Sequence, residues 1–119
     1  MEARCVARYI RMSPRKVRIV ADLIRGREVE DALNVLHFSP KAASRPLEKA
    51  LRSAVSNLLS ADEASKVDSD DLYVREIRVD ESYTLRRFRA GSMGRANRIR
   101  KRTCHVSVVV AESSERKED

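Results

Sequence analysis

The sequence has few of the residues that cross-link a fold or stack on a ligand. It contains no Trp, only 4% aromatic residues and two cysteines in 119 residues. Two thiols, Cys5 and Cys104, do not make a disulfide scaffold and are typical of a reduced intracellular protein. The length fits a single domain that is large enough to bury a modest core.

A long apolar segment is also missing. The chain is charged from Glu2 and Arg4 onward, so it lacks the hydrophobic region of a secretory signal. No apolar run approaches the ~20 residues that a membrane-spanning helix needs. We therefore predict a soluble, cytoplasmic protein with no membrane contact.

The third absence is that of carboxylates near the end of the chain. No Asp or Glu occurs between Glu81 and Glu112, and residues 86–110 hold eight Lys or Arg. Residues 1–27 hold eight basic residues against two acidic ones, whereas residues 28–85 hold seven against twelve. The net charge of +7 is thus divided into two basic blocks around an acidic middle. Such a polarised surface suits a polyanion as partner.

The hydrophobic pattern predicts one α+β domain over residues 1–110, with a small antiparallel three-stranded sheet packed on three helices. Strand-type residues occur in 3–12, before the basic arms and after them. A shift of parity between Val74 and Ile77 indicates a β-bulge. Residues 62–71 are predicted to be a polar loop, and residues 111–119 a disordered charged tail.

Capping residues and apolar spacing define the first two helices. Ser13 is a favourable N-cap, Pro14 fits the first helical position, and Gly26 follows the last turn. A second helix is predicted over residues 28–38, with acidic side chains in its first turn, where the helix dipole favours them.

The third helix is predicted from the same start signal. Ser39 and Pro40 repeat the cap-then-proline pattern, and apolar residues follow at helical spacing from Leu47 to Leu59. Pro46 then falls inside the helix, where it is expected to remove a hydrogen bond and to kink the first part.

The segment RRFRAGSMGRANRIRKRT, residues 86–103, consists of two basic arms around a Gly-containing tip. It predicts a long protruding β-hairpin from about Tyr83 to about Val106, reaching ~30 Å beyond the sheet. Its large apolar side chains are almost limited to Phe88 and Ile99, and like charges across it repel. A lone ribbon of this kind is marginally stable in water. We therefore expect it to become ordered among phosphates, where each Arg can fork two donors onto phosphate oxygens.

The first helix adds a second basic surface, and the two patches together favour a folded nucleic acid. RNA is favoured over DNA because no helix carries the Asn, Gln and Arg mixture of a major-groove reader. Stacking platforms for single strands are scarce in a sequence with so few aromatic residues. The remaining mode of binding is recognition of the shape of a folded RNA together with contacts to its phosphates.

Other chemistry is weakly supported. His105 follows Cys104, but neighbours on a strand point to opposite faces, and no C-x-x-C pair is present, so no metal site is predicted. The carboxylate pairs Asp70–Asp71 and Asp80–Glu81 are explained better as surface charge than as acid–base catalysts. The spacing Gly91-x-x-Gly94 joins two strands, not two helices, so these glycines are interpreted as turn geometry.

Three separated motifs resemble one known family. They are SPRKVRIVADLIRG at 13–26, ALNVLHFSPKAA at 32–43 and GRANRIRKRTCHV at 94–106. In this order they are similar to the bacterial large-subunit (50S) ribosomal proteins number twenty-two, an exit-tunnel hairpin family. The similarity extends from about Ala7 to Val110.

Members of that family bind 23S ribosomal RNA, act early in large-subunit assembly and line the nascent-peptide exit tunnel with an extended hairpin. The resemblance implies 23S rRNA, other large-subunit ribosomal proteins and the passing nascent polypeptide as partners, with no cofactor and no homo-oligomer. The predicted rRNA-binding residues are Arg11, Arg15, Lys16, Arg18, Arg25, Arg86, Arg87, Arg89, Arg95, Arg98, Arg100, Lys101 and Arg102. The implied tunnel tip is Ala90, Gly91, Ser92, Met93 and Gly94.

The sequence departs from the family pattern at two places. The family usually has R-P-R-A-x before the shared G-R-A, so residues 89–93 lack a rigid proline and one arginine. Ser82–Tyr83 stand where the family tends to have Gly-Pro, which is expected to change how the hairpin leaves the sheet.

The leading hypothesis is thus a structural ribosomal protein without catalysis. Two alternatives are a free-standing architectural DNA- or RNA-binding protein and an RNA-modifying enzyme that uses the paired carboxylates.

Overall fold

A computed structural model describes residues 2–60 and 71–112, apart from the side chain of Asn97. In chain order these residues form β1 (Glu2–Ile10), α1 (Pro14–Ile24), α2 (Val29–Phe38), α3 (Ser44–Ser60), β2 (Leu72–Ala90) and β3 (Ala96–Glu112). The predicted α+β class with three helices and three strands is confirmed. The predicted polar loop, except Asp71, and residues 113–119 of the predicted tail lie outside the described residues. The start of the predicted disordered tail is wrong, because Ala111 and Glu112 are the last residues of β3 and pair with β2.

The sheet is antiparallel, with strand order β1-β3-β2, so β3 is central. β1 pairs with β3 only as far as Ile10 opposite Cys104. β2 continues along β3 to Ala90 opposite Ala96. The stretch from Thr84 to Arg102 is therefore a two-stranded ribbon, which we call the ribbon. It is shorter than the predicted hairpin because β3 also pairs with β1 at Cys104 and Val106.

All three helices bury their apolar stripes against one face of the sheet. On β3 that face is formed by Cys104, Val106, Val108 and Val110, all fully buried. The predicted stripe of α1 is confirmed, since its members Val17, Val20, Ala21 and Ile24 are all buried. In the described ranges, no helix has the length and apolarity needed to cross a membrane.

The predicted start of the third helix at Pro40 is wrong. Ser39 and Pro40 precede a turn in which the Lys41 N–H donates to Ser39 Oγ (3.3 Å), and α3 begins at Ser44. Pro46 is then the third helical residue. Because the first four N–H groups of a helix have no acceptor within it, Pro46 removes no helical hydrogen bond. No kink is needed to accommodate it there.

The sheet has three irregularities. The predicted bulge near Val74 is confirmed, with Arg75 as the extra residue. A second register shift places Ser82 and Tyr83 opposite the single residue Thr103. A third interrupts β1 between Ala7 and Ile10. The last two lie at the level where the ribbon leaves the sheet.

Two adjacent leucines of α3 allow a matched test of this packing. Leu58 is fully buried, whereas Leu59 is 42% exposed. We expect Leu58→Ala to lower the free energy of unfolding by about 2–5 kcal/mol, because it leaves a cavity in the core. Leu59→Ala should lower it by less than about 1 kcal/mol. Urea unfolding measures both, and equal losses would contradict the observed orientation of α3.

Candidate nucleic-acid interface

A large cleft lies between the start of α1, the turn before α3 and the base of the ribbon. Its volume is about 1170 Å³. Met12, Ile19 and Ala42 contribute apolar surface to it. Its basic residues, which define the basic cleft, are Arg11, Arg15, Lys16, Lys41, Arg100, Lys101 and Arg102. The fold thus brings together cations from three segments of the sequence: residues 11–16, Lys41 and residues 100–102.

The strand and helix boundaries explain this convergence. β1 ends at Ile10 opposite Cys104, so Arg11 emerges beside the base of the ribbon. α1 begins at Pro14, which places Arg15 in its exposed first turn. On β3, Arg102 alternates with the buried Cys104 and therefore lies on the helix-facing side.

A smaller pocket of about 410 Å³ adjoins the basic cleft at the ribbon. It shares Arg100 and Arg102 with the cleft and adds Arg86 and the carboxylate of Glu81. Arg86 lies directly opposite Arg100 in the ladder, an arrangement that is destabilising for like charges. Among the described residues, no Lys or Arg of the ribbon forms an ion pair. The positive charges along the arms of the ribbon are therefore not neutralised by carboxylates of the described residues.

A third hollow of about 1030 Å³ extends the basic surface beyond Lys41. Lys41, Arg45, Lys49 and Arg52 line it, together with Glu48. Arg52 donates to Glu48 Oε1 (2.9 Å) and holds the pKa of that carboxyl below its ordinary value. These cations are not evident as a basic patch in the sequence, because residues 28–85 are acidic as a whole.

The partly buried apolar side chains of the ribbon include Leu85, which was not singled out from the sequence. Leu85 and Ile99 are partly buried and are diagonal neighbours on one face of the ladder. Phe88, in contrast, is 69% exposed. The other predicted RNA-binding residues of the ribbon lie exposed beyond both pockets; they are Arg87, Arg89, Arg95 and Arg98.

The tip is a tight turn at the far end of the ribbon. Met93 and Gly94 have φ values of 59° and 75°, and the Arg95 N–H donates to Ser92 O (3.4 Å). Two central residues with positive φ are typical of a type I′ turn. Gly91 has a φ of −100° and needs no glycine. Of the two predicted turn glycines, only Gly94 has that role, and the other left-handed position is taken by Met93, which is 99% exposed.

Arg18 and Arg25 were predicted to bind RNA, but the structure gives both a partner within the protein. Arg18 donates to Val79 O from Nε (3.2 Å) and Nη2 (2.9 Å), and Arg25 Nη2 donates to Ile77 O (3.0 Å). β2 is an edge strand, whose outward carbonyls need partners. Neither arginine lines the basic cleft. We therefore interpret them as links between α1 and the sheet edge.

The groups considered for other chemistry are separated by the fold. Cys104 lies in the core, where burial raises the pKa of its thiol, whereas His105 lies on the other face of β3. Asp80 is opposite His105 and Glu81 is opposite Cys104, so these two carboxylates alternate in the ladder. Asp70 lies outside the described residues. Within the described ranges, no group of three or more His, Cys, Asp or Glu residues is placed to hold a metal ion.

Comparison with known proteins gives a consistent result. A family model described as "Ribosomal protein L22p/L17e" matches residues 5–111. The chain is 54% identical over 114 residues to the large ribosomal subunit protein uL22 of Desulfitobacterium hafniense strain Y51, covering 96% of this chain and 97% of that protein. It is 50% identical over 115 residues to the uL22 of Halothermothrix orenii, covering 97% and 99%. It is 53% identical over 112 residues to that of Maridesulfovibrio salexigens, covering 94% and 99%.

The two types of arginine on α1 should respond differently to substitution. Arg15→Ala should reduce the slope of log affinity for structured RNA against log salt concentration by about one unit, without changing stability. Arg18→Ala should lower the free energy of unfolding by about 1 kcal/mol, because it leaves the Val79 carbonyl without its donor. It should leave the salt slope unchanged. Filter binding over a salt series and urea unfolding check both, and a reversed pattern would contradict the assignment.

Proposed function

The chain belongs to the ribosomal protein L22p/L17e family, and from this membership we propose that it is a structural protein of the large ribosomal subunit that binds 23S ribosomal RNA. The resemblance recognised in three sequence motifs is confirmed at the level of the family. Contact with 23S rRNA, with other large-subunit proteins and with the nascent peptide forms the proposal.

The observation that carries the proposal is the basic cleft. Arginines from the start of α1 and from the base of the ribbon line one hollow of about 1170 Å³. A guanidinium can fork two donors onto phosphate oxygens, and each neutralised phosphate releases counterions. The cleft thus holds a phosphate backbone that passes between the globular part and the ribbon, and Met12 and Ile19 add apolar contact with the sugars.

The ribbon binds RNA through its shape and charge. From Thr84 to Ala90 each arm has seven paired residues, or roughly 23 Å of ribbon at ~3.3 Å per residue. Its arginines repel one another until phosphates lie between them, so part of the ribbon's order depends on the RNA. A-form RNA is recognised mainly by shape and backbone contacts, which suits a surface without a base-reading helix.

The tip has a different role in this proposal. The ribbon projects from a molecule whose dimensions are 66 × 26 × 25 Å, so its end lies far from the core. In the assembled subunit the tip, Ala90–Gly94, lines the exit tunnel. Met93, which is almost fully exposed, is the side chain placed to contact the nascent peptide. Met is unbranched and polarizable, so it makes adaptable contacts with varied sequences.

The positions of Asp80 and Glu81 argue against the enzyme alternative. Successive strand residues point to opposite faces, and these two pair with His105 and Cys104 respectively. Two carboxylates on opposite faces cannot act on one substrate atom. The architectural alternative makes a different prediction, because it requires tight binding to duplex DNA.

Removing two cleft arginines tests the RNA contact. The double variant Arg100→Ala/Arg102→Ala should bind 23S rRNA more weakly, and its salt slope should fall by about two units. The control Arg75→Ala/Arg78→Ala removes the same charge from residues that are paired with Glu2 and Glu76. Filter binding from 50 to 300 mM salt, roughly the range over which phosphate contacts weaken, measures both slopes. Equal changes would show a general charge effect, and full competition by duplex DNA would favour the architectural alternative.

Limited proteolysis tests the dependence of the ribbon on RNA. Trypsin should cut the free protein readily within residues 86–102, because the arginines there are exposed and the ribbon is marginally stable. In complex with 23S rRNA these sites should be protected at least tenfold, whereas α2 and α3 should change little. Mass spectrometry of the fragments locates the cuts. The same cleavage rate with and without RNA would contradict coupled ordering.

A further inference from the structure

An aromatic cluster lies where the ribbon leaves the sheet. The ring of Tyr9 is 5.7 Å from that of Tyr83 and 4.8 Å from that of His105, measured between centroids. The two tyrosines are 57% and 52% exposed. The cluster lies on the face of β3 opposite the helices, so it is distinct from the core. Three residues from three strands thus form one exposed aromatic surface.

The backbone is shaped to hold this cluster. Tyr9 has a φ of 58°, which is unusual for a bulky residue, and it lies in the register shift of β1. Its N–H donates to His105 Nδ1 (3.1 Å), which fixes the imidazole ring. Tyr83 lies in the register shift of β2, where Thr103 Oγ1 donates to its carbonyl oxygen (2.6 Å). A strained tyrosine that is held by its surroundings is the kind of feature that marks functional sites.

The chemistry of the cluster suits a base better than a phosphate. Asp80 lies opposite His105 in the ladder, and its carboxylate would repel a phosphate at that point. A nucleobase is neutral, has an aromatic face and can donate from an amino group to a carboxylate. Arg8 and Arg11 are exposed on either side of Tyr9 in the chain. The phosphate backbone of an RNA strand whose base contacts Tyr9 would therefore find cations nearby. This complementarity favours an RNA strand over an apolar protein surface.

We propose that Tyr9, Tyr83 and His105 form a stacking platform for an unpaired base of ribosomal RNA. The inference rests on the proposed function, since it assumes RNA as the partner. It adds a contact of a different kind from the basic cleft. The cleft holds the backbone through charge, whereas the platform recognises a base that is not stacked in a helix.

Substitution of the rings separates stacking from charge. Tyr83→Leu and Tyr9→Leu keep apolar bulk but remove the aromatic face, and each should weaken binding to transcribed 23S rRNA roughly 5- to 100-fold. The salt slope should not change, because no phosphate contact is lost. Tyr83→Phe and Tyr9→Phe should bind like the wild type. Phe38→Leu, at an exposed aromatic residue of α2, should have no effect.

A fluorescent base reports the contact directly. The probe is a single-stranded RNA of ten nucleotides with one central 2-aminopurine. The wild type and the Phe variants should quench the fluorescence of this base, and the Leu variants should not. Because Tyr83 is exposed, Tyr83→Leu is expected to fold, and it remains the test if Tyr9→Leu does not.

Three results would overturn the platform. They are wild-type affinity and quenching in Tyr83→Leu, a reduced salt slope in that variant, and a photoreactive group at position 83 that cross-links to protein instead of RNA in large subunits. Each of these would leave the basic cleft intact. Failure of the proposed function would look different, since the wild type itself would then show no salt-dependent binding to 23S rRNA.

Discussion

The architecture depends on the unequal pairing of the central strand. β3 has two partners near the core, but β1 ends opposite Cys104 while β2 continues to the tip. Below that level the helices cover one face of the sheet; above it β2 and β3 form a two-stranded ribbon whose residues are mostly exposed. The basic cleft and the aromatic cluster both lie at this level. Arg11 lies beside the base of the ribbon because β1 ends at the preceding residue. Tyr9 has a positive φ at this level, where the pairing of β1 with β3 is irregular.

Stability and binding are assigned to different parts of the chain. The helices bury most of their large aliphatic side chains against one face of the sheet, so the hydrophobic core lies in the globular part. The ribbon has little more than Leu85 and Ile99 to hold it, and it places Arg86 opposite Arg100. Like charges on a narrow ribbon oppose folding in water and favour it among phosphates. In the proposed function, the same residues that weaken the free ribbon supply its affinity for RNA.

Much of this was predictable because local signals agreed with the tertiary structure. The stripe of α1, the bulge near Val74 and the basic arms all follow from spacing and composition. The prediction failed where a local signal had two possible meanings. Ser39 and Pro40 resemble a helix start but belong to a turn, and Pro46 occupies the first turn of α3. Arg18 and Arg25 look like solvated cations, yet their guanidinium groups bond to the carbonyls of an edge strand.

By itself, the sequence determined the fold class, the family and the polarity of the charge, because these depend on periodicity and composition along the chain. Only the tertiary structure decided which cations share a cleft, since Lys41 and Arg100 meet through strand pairing and helix packing. It alone assembled Tyr9, Tyr83 and His105, which are too far apart in the sequence for any spacing rule to connect. Side chains that are distant in the sequence become neighbours only when strand pairing and helix packing bring their backbone segments together.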